Sequence, residues 1–181
     1  MRKAPALGLL LVLAACTPKS NDEIKADVAS PAVPSSVVTT AAGSATSPPA
    51  DRPRIVVQPA EADSDAISAI RTARLQAKAQ GRVLVVFVSA VWCPPCKKMK
   101  SEIDAGNLDA RLGKTTLLAF DADRDEARLK AAGYTFKFIP FVALPGPDGA
   151  PADSQQATGE GKDAWRELLG KLDAWQAAGP R

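Results

Sequence analysis

Histidine is absent from the 181 residues, and cysteine, methionine and tyrosine are scarce, with three, two and one copies. Without histidine the chain lacks the side chain that most often serves as a general base near neutral pH and as a metal ligand. An excess of charge of one sign is also lacking, because 23 basic and 20 acidic residues leave a formal net charge of +3. This balance gives no reason to expect a nucleic-acid partner, and enzyme classes that depend on histidine are excluded.

The first 15 residues have the pattern of an export signal. Arg2 and Lys3 supply a positive start, and an apolar run follows that ends in small residues before Cys16. Crossing a membrane takes about 20 apolar residues and this run offers only about 12, so we do not expect it to span a membrane. We therefore predict that residues 1–15 are a cleaved signal peptide.

The segment Leu-Ala-Ala-Cys at residues 13–16 resembles the lipoprotein box of bacterial lipoproteins. The resemblance implies that the sulfur of Cys16 receives a diacylglyceryl group and that cleavage leaves Cys16 first. Several acyl chains on one residue would satisfy the need for more than one chain in stable anchoring. Thr17 follows, and a residue other than aspartate there implies the outer rather than the inner membrane. An ordinary signal peptide before an incidental cysteine is the alternative. The expected location is the cell envelope, lipid-anchored and facing the periplasm.

Residues 16–54 are predicted to be a disordered tether that begins with the lipidated Cys16. They are rich in proline, serine, threonine, alanine and valine and have little periodicity. The remaining residues, 55–181, suffice for one ordinary hydrophobic core, so a single folded domain is expected.

The pattern of this domain predicts alternating helices and strands. Its first apolar run, at 83–88, is β-branched and does not alternate with polar residues, which is typical of a central strand covered on both faces. Four strands are predicted: 83–88, 115–120, 138–144 and 153–158. Four helices are predicted: one from an N-cap at Asp63-Ser64 to Gly81, one at 97–103, one at 124–132, and an amphipathic helix from 163 onward whose core stripe runs from Trp165 to Trp175. A layered α/β domain follows.

Cys93 and Cys96 are spaced as Cys-x-x-Cys where a strand leads into a helix. A thiol attacks a disulfide only as the thiolate, and a helix N-terminus lowers the pKa of a thiol placed there. Cys93 is therefore the predicted nucleophile, and Cys96, one turn later, can displace a bound substrate. Pro94 and Pro95 fit the first turn of a helix and restrict the backbone between the two sulfurs, so they should influence the balance of dithiol and disulfide.

Two structural alternatives remain for this pair. A permanent disulfide that staples the loop is one, although so small a ring constrains the unfolded chain little. A zinc site is the other, but zinc prefers four ligands, and only two thiols remain once Cys16 is lipidated. The same shortage argues against copper delivery, so we expect no metal and no cofactor.

The segment Trp-Cys-Pro-Pro-Cys at 92–96, with Ile139-Pro140 opening a later strand and Asp148-Gly149 beyond it, resembles the thioredoxin superfamily. The resemblance covers about residues 60–178 and implies a thioredoxin-like fold, in which a central mixed β-sheet is flanked by helices on both faces. It implies that Pro140 has a cis peptide bond and packs against the cysteine pair. Together with Ile139, this proline would line the groove where a substrate segment adds to the sheet edge. Trp92 is either a core aromatic or part of the active-site surface.

The chain departs from that family at one position. Thioredoxins usually keep a buried acidic residue on the strand before the active-site loop, where it moves a proton to or from the second cysteine. An ungapped match places Phe87 there, and a shift of one residue places Val86. The nearest acids along the chain, Glu102 and Asp104, lie beyond the cysteines, so we expect water or a partner to handle the proton. The charged residues at 121–126 are predicted to form a solvated loop and helix start.

The predicted function is that of a thiol-disulfide oxidoreductase outside the cytoplasm, in which Cys93 attacks and Cys96 resolves the mixed disulfide. Reduction is favoured, because the histidine between the cysteines of strongly oxidising relatives is missing. Expected partners are protein thiols and disulfides of the cell envelope, a membrane redox donor or acceptor, and the membrane through the lipid anchor, with no nucleic acid. A monomer is expected. The alternative is a binding or redox-sensing module that keeps the groove around Pro140 but does not turn over.

Overall fold

The computed structural model describes residues 52–181. The predicted signal peptide, Cys16 and nearly all of the predicted tether lie outside the described residues. Within the described range, no helix is both long enough and apolar enough to cross a membrane.

The described chain forms a five-stranded sheet with helices on both faces. In chain order the elements are β1 (Val56–Pro59), α1 (Ala66–Ala79), β2 (Val83–Ser89), α2 (Pro94–Asp104), α3 (Asp109–Leu112), β3 (Thr115–Asp121), α4 (Ala122–Ala131), β4 (Phe141–Pro145), β5 (Pro151–Gln156), a 3₁₀ turn (Ala164–Leu168) and α5 (Leu169–Ala178). The strand order is β1-β3-β2-β4-β5. The pairs β1–β3 and β2–β3 are parallel, whereas β4 is antiparallel to both β2 and β5. The predicted mixed α/β sheet is confirmed.

The central strand β2 explains the two layers of helices. Successive side chains of a strand point to opposite faces, and every residue from 83 to 88 is buried. One set of alternate residues packs with α1 and α4, through side chains such as Ile70 and Leu129. The other set packs with α2 and α5, through side chains such as Met99 and Leu172. The uninterrupted apolar run therefore reflects burial on both sides, as the sequence indicated.

Several boundaries differ from the predicted ones. Helix α1 begins after Asp65, whose carboxylate accepts the Ser68 N–H at 2.8 Å, and not at Asp63-Ser64. Gly81, with a φ of 67°, follows the end of this helix as expected. The predicted C-terminal helix is divided into the 3₁₀ turn and α5, while its stripe from Trp165 to Trp175 is buried as predicted. Two short elements, β1 and α3, were not predicted.

The segment before β1 is held to the domain by polar contacts. Arg54 pairs with Asp109 at 3.0 Å, and the Ile55 N–H donates to the same carboxylate. Arg82 donates to the Arg54 carbonyl at 2.7 Å. The packed part of the chain therefore begins slightly before residue 55.

Candidate active site

The two cysteines lie at the first turn of α2, directly after the central strand. Cys93 is the N-cap residue, and Pro94 and Pro95 occupy the first two helical positions, where no N–H is needed. The sulfurs are joined in a disulfide with an S–S distance of 2.11 Å. The Cys96 N–H donates to the Cys93 Sγ at 3.2 Å, so a free N–H group of the helix start points at this sulfur.

The disulfide is shielded from solvent. Cys93 is 2% exposed and Cys96 is 3% exposed, and both belong to the core cluster on the α1 side of the sheet. A sulfur that attacks Cys93 must therefore come into contact with the residues around it.

The segment before β4 contributes backbone to the site. The Ile139–Pro140 peptide bond is cis, as the resemblance implied. The Ile139 carbonyl oxygen lies 3.6 Å from the Cys93 Sγ, and the Ala157 N–H donates to the Pro140 carbonyl at 3.0 Å. The structure thus brings the distant pair Ile139-Pro140 to the cysteines.

Apolar side chains are exposed beside the buried cysteines. Trp92 is 60% exposed, and Val91 and Phe138 are also exposed. The Trp92 indole N–H donates to Asp123 at 2.7 Å, which fixes the ring at the surface. Of the two alternatives for Trp92, the structure places it on the surface beside Cys93. Asp123 was not predicted to belong to the site.

Gln156, at the end of β5, holds the segment before the cis-proline. Its side-chain oxygen accepts the Lys137 N–H at 2.9 Å and the Phe138 N–H at 3.1 Å. One side chain therefore satisfies two backbone donors of the loop that leads to Ile139. The sequence carried no signal for this role, because a glutamine in an edge strand is usually a solvated residue.

The acidic stretch 121–126 is not simply solvated, so that prediction was wrong for Asp125. This residue is fully buried and pairs with Arg124 at 2.8 Å and with Arg128 at 3.0 Å. It also accepts the Asp121 N–H at 2.8 Å. Burial acts to raise the pKa of Asp125, but the hydrogen bonds and the two arginine charges outweigh it and lower the pKa below its ordinary value.

No acidic side chain occupies the β2 position before the site, where Val86 and Phe87 are buried in the two core clusters. The acids that follow the cysteines along the chain pair with lysines of α2, Glu102 with Lys98 and Asp104 with Lys100. Hydrogen bonds from Lys98 and Asn107 lower the pKa of Glu102. These two acids therefore form ion pairs along α2.

An open cleft of about 250 Å³ lies beside Cys96. Its walls come from the end of β2, the start of α2 and the end of β3. The lining residues are Phe87, Ser89, Ala90, Val91, Cys96, Lys97, Lys100 and Asp121. The cleft is large enough to admit several water molecules next to the second cysteine.

No protein-family model matches the sequence, and no curated protein sequence matches it. Similar solved structures include Trxlp from Edwardsiella tarda, which is 20% identical over 64% of this chain and 97% of its own, with a TM-score of 0.41. A disulphide isomerase from Xylella fastidiosa is 17% identical over 65% of this chain and 93% of its own, with a TM-score of 0.45. The oxidised thioredoxin from Plasmodium falciparum is 17% identical over 66% and 98%, with a TM-score of 0.42.

The strand order, the two helix layers and the Cys-x-x-Cys disulfide are observed in the chain itself. The chain has a thioredoxin-like fold with its cysteine pair at the start of α2.

Proposed function

We propose that the protein is a thiol-disulfide oxidoreductase that acts on other proteins through Cys93 and Cys96. The observation that carries the proposal is the placement of this pair. Cys93 is the N-cap of α2, accepts the Cys96 N–H, and lies against the backbone of Ile139. A thiol in that position has both a donor to stabilise its ionised form and a neighbour that can complete the exchange.

The exchange proceeds in two steps for the reducing direction. The Cys93 thiolate attacks one sulfur of a substrate disulfide, which forms a mixed disulfide and expels the other sulfur as a thiolate. The Cys96 thiolate then attacks the Cys93 sulfur and expels the second substrate thiolate. The substrate gains two electrons, and the pair ends as the disulfide seen in the structure. An external dithiol must then reduce the pair before the next cycle.

The start of α2 supports the ionised form of Cys93. The helix has 11 residues, and its dipole places partial positive charge at the Cys93 end. The Cys96 N–H at 3.2 Å is aimed at the sulfur that would carry the negative charge. We therefore expect Cys93 to react with iodoacetamide at pH 7 faster than free cysteine does.

The surroundings of Cys93 support a protein substrate over a small one. The Cys93 sulfur is buried, so a substrate that reaches it must contact the residues around it. The exposed side chains of Trp92 and Phe138 offer apolar surface beside it. A peptide segment that carries a disulfide can cover these rings while its sulfur reaches Cys93. This is the role proposed for Trp92, Ile139 and Pro140.

We further propose that the protein works in the cell envelope as a lipid-anchored monomer that reduces disulfides with electrons from a membrane donor. The support is the sequence pattern of residues 1–16 and the lack of histidine between the cysteines. Incorporation of labelled palmitate into the full chain, lost in Cys16→Ser, tests the anchor. A reduction potential near −270 mV, as against about −120 mV for strong oxidants, tests the direction.

Insulin reduction with dithiothreitol tests the enzymatic proposal. We expect turnover by the wild type, none above background by Cys93→Ala, and mixed disulfides with envelope proteins that accumulate in Cys96→Ala. Absence of both turnover and trapped species would contradict the proposal and favour a binding or redox-sensing module.

A further inference from the structure

In the second step of the exchange, Cys96 needs a proton acceptor, which the two cysteines alone do not supply. Cys96 must lose its proton before it can attack, yet it is 3% exposed and belongs to a core cluster that includes apolar residues of β2. Burial away from water disfavours the thiolate of such a group. A group that can take the proton must therefore be within reach, either directly or through water.

The cleft beside Cys96 contains one such group. The ionisable side chains that line it, apart from Cys96, belong to Lys97, Lys100 and Asp121. A lysine ammonium group has only donors, whereas a carboxylate oxygen can accept a proton. Within the lining of this cleft, Asp121 is therefore the only side chain able to act as a base.

The fold brings Asp121 to this place by strand pairing. In the parallel pair β2–β3, Asp121 is the register partner of Ser89, which itself lines the cleft. Asp121 is also the N-cap of α4, and its Oδ1 accepts the N–H groups of Asp123 at 2.9 Å and Arg124 at 3.1 Å. No hydrogen bond from residues 52–181 reaches its Oδ2. One oxygen thus fixes the carboxylate of this cleft-lining residue, while the other accepts no hydrogen bond from the described residues.

We propose that Asp121 accepts the proton of Cys96, through water in this cleft, when Cys96 resolves the mixed disulfide. The inference rests on the proposed exchange reaction. The proton moves from the Cys96 thiol to the Asp121 carboxylate, and the new Cys96 thiolate attacks the Cys93 sulfur. A Cys93–Cys96 bond forms, the bond from Cys93 to the substrate sulfur breaks, and the substrate leaves as a thiolate. Asp121 then returns the proton to solvent or to that thiolate.

Charged groups on both neighbouring helices act on this step. Lys97 and Lys100 of α2 face the cleft and would stabilise a thiolate on Cys96. On α4, Arg124 is close enough to interact electrostatically with Asp121. The charged residues that line the cleft or form hydrogen bonds with Asp121 are Lys97, Lys100, Asp123, Arg124 and Asp125, and Asp63 acts on Arg124.

The two steps can be timed separately with 5,5′-dithiobis(2-nitrobenzoate) and the fully reduced protein. Attack by Cys93 releases one nitrothiobenzoate, and resolution by Cys96 releases a second from the mixed disulfide. In Asp121→Asn we expect the second phase at pH 7 to slow by at least about tenfold, the lower range for loss of a general base. The first phase should change less than twofold. The deficit should shrink towards pH 10, because hydroxide then removes the Cys96 proton directly.

Matched variants keep this test specific. Asparagine is as good an N-cap as aspartate, so Asp121→Asn should keep the start of α4. Asp65→Asn makes the same change at the N-cap of α1 and should leave both phases unaltered. Cys96→Ala should release only one equivalent, which assigns the second phase.

A second phase in Asp121→Asn that is unchanged, or slowed equally at every pH, overturns the role of Asp121. Absence of both phases in the wild type would instead contradict the proposed exchange.

Discussion

The two ends of the parallel strands β2 and β3 differ in what their side chains do. At the amino ends, Arg82 donates to Thr116 at 2.9 Å, to the Thr115 carbonyl at 2.6 Å and to the Arg54 carbonyl. At the carboxyl ends, the cysteine pair, the cleft and exposed apolar rings lie together. The amino ends are held by hydrogen bonds of Arg82, whereas the carboxyl ends leave apolar rings and a cleft open to solvent.

Asp125 is the clearest exception to this difference between the strand ends, because it lies at the carboxyl end but has a structural role. We expect Asp125→Asn to lower the free energy of unfolding at pH 7 by about 3 kcal/mol, because Arg124 and Arg128 lose a buried partner. Equilibrium unfolding in urea measures the loss. Asp104→Asn, which alters an exposed pair on α2, is the control and should remain near the wild type.

The pH dependence of that loss has a definite sign. The pKa of Asp125 is lowered in the folded state from an ordinary value of 3.8. As the pH falls, the unfolded chain therefore takes up the proton first, and the folded state loses stability relative to it. The contribution is full above the ordinary value and disappears as the pH falls through the lowered one. The difference between Asp125→Asn and the wild type should therefore shrink in strong acid. A difference that stays constant down to pH 2 would contradict this assignment.

At the amino end, Gly113→Ala should affect stability without affecting chemistry. A Cβ at Gly113 would lie 1.9 Å from the Pro53 carbonyl oxygen and 2.5 Å from that of Asp109, both backbone atoms. The segment before β1 would have to move, and we expect a loss of about 2 kcal/mol in urea unfolding. Insulin turnover per folded molecule should equal that of the wild type.

Gly170→Ala in α5 is the matched control for this substitution. Apart from its chain neighbours and the backbone of its own helix, no atom of the described residues lies within 4 Å of the added Cβ, and alanine is favoured over glycine in a helix by up to about 1 kcal/mol. The control should therefore be as stable as the wild type or more so. Equal stability of Gly113→Ala and Gly170→Ala would show that the segment at Pro53 is not packed as described.

The sequence predicted those parts of the molecule that depend on residues close together in the chain. The continuous apolar run of β2 requires cover on both faces, a second apolar run marks β3, and the pattern at 92–96 places Cys93 at a helix start. The short edge strand β1 was missed because its apolar run is only three residues long, at 55–57, and is followed at once by Gln58 and Pro59.

The rest of the site depends on contacts between residues far apart in sequence. A run of acids and arginines at 121–126 has the composition of a solvated segment, and only the folded chain buries Asp125 between two arginines. Asp121 comes near Cys96 through the register of β2 with β3. Patterns of neighbouring residues do not specify which distant segments pair or pack together, so neither the role of Asp121 nor that of Asp125 could be predicted.

The smallest expected effect concerns Gln156, which connects the outer strand β5 to the site. Gln156→Ala removes the acceptor for the Lys137 and Phe138 N–H groups, so the segment before Ile139 is held less firmly. We expect the KM for insulin to rise on the order of fivefold, since each such bond contributes about 1 kcal/mol or less at an accessible position. The kcat should change less than twofold, because the cysteines keep their places at α2.

Variants on the same strand distinguish positioning from general damage. Gln156→Glu keeps an oxygen acceptor and should recover most of the affinity, whereas Gln155→Ala, one residue away, should behave as the wild type. The reaction with 5,5′-dithiobis(2-nitrobenzoate) should be unaffected in all three, because that small reagent does not use the segment before Ile139. If Gln156→Ala slowed the small reagent as much as insulin, the effect would lie at the cysteines themselves. That result would contradict the view that the cysteines at α2 carry out the chemistry while the segment held by β5 positions the substrate.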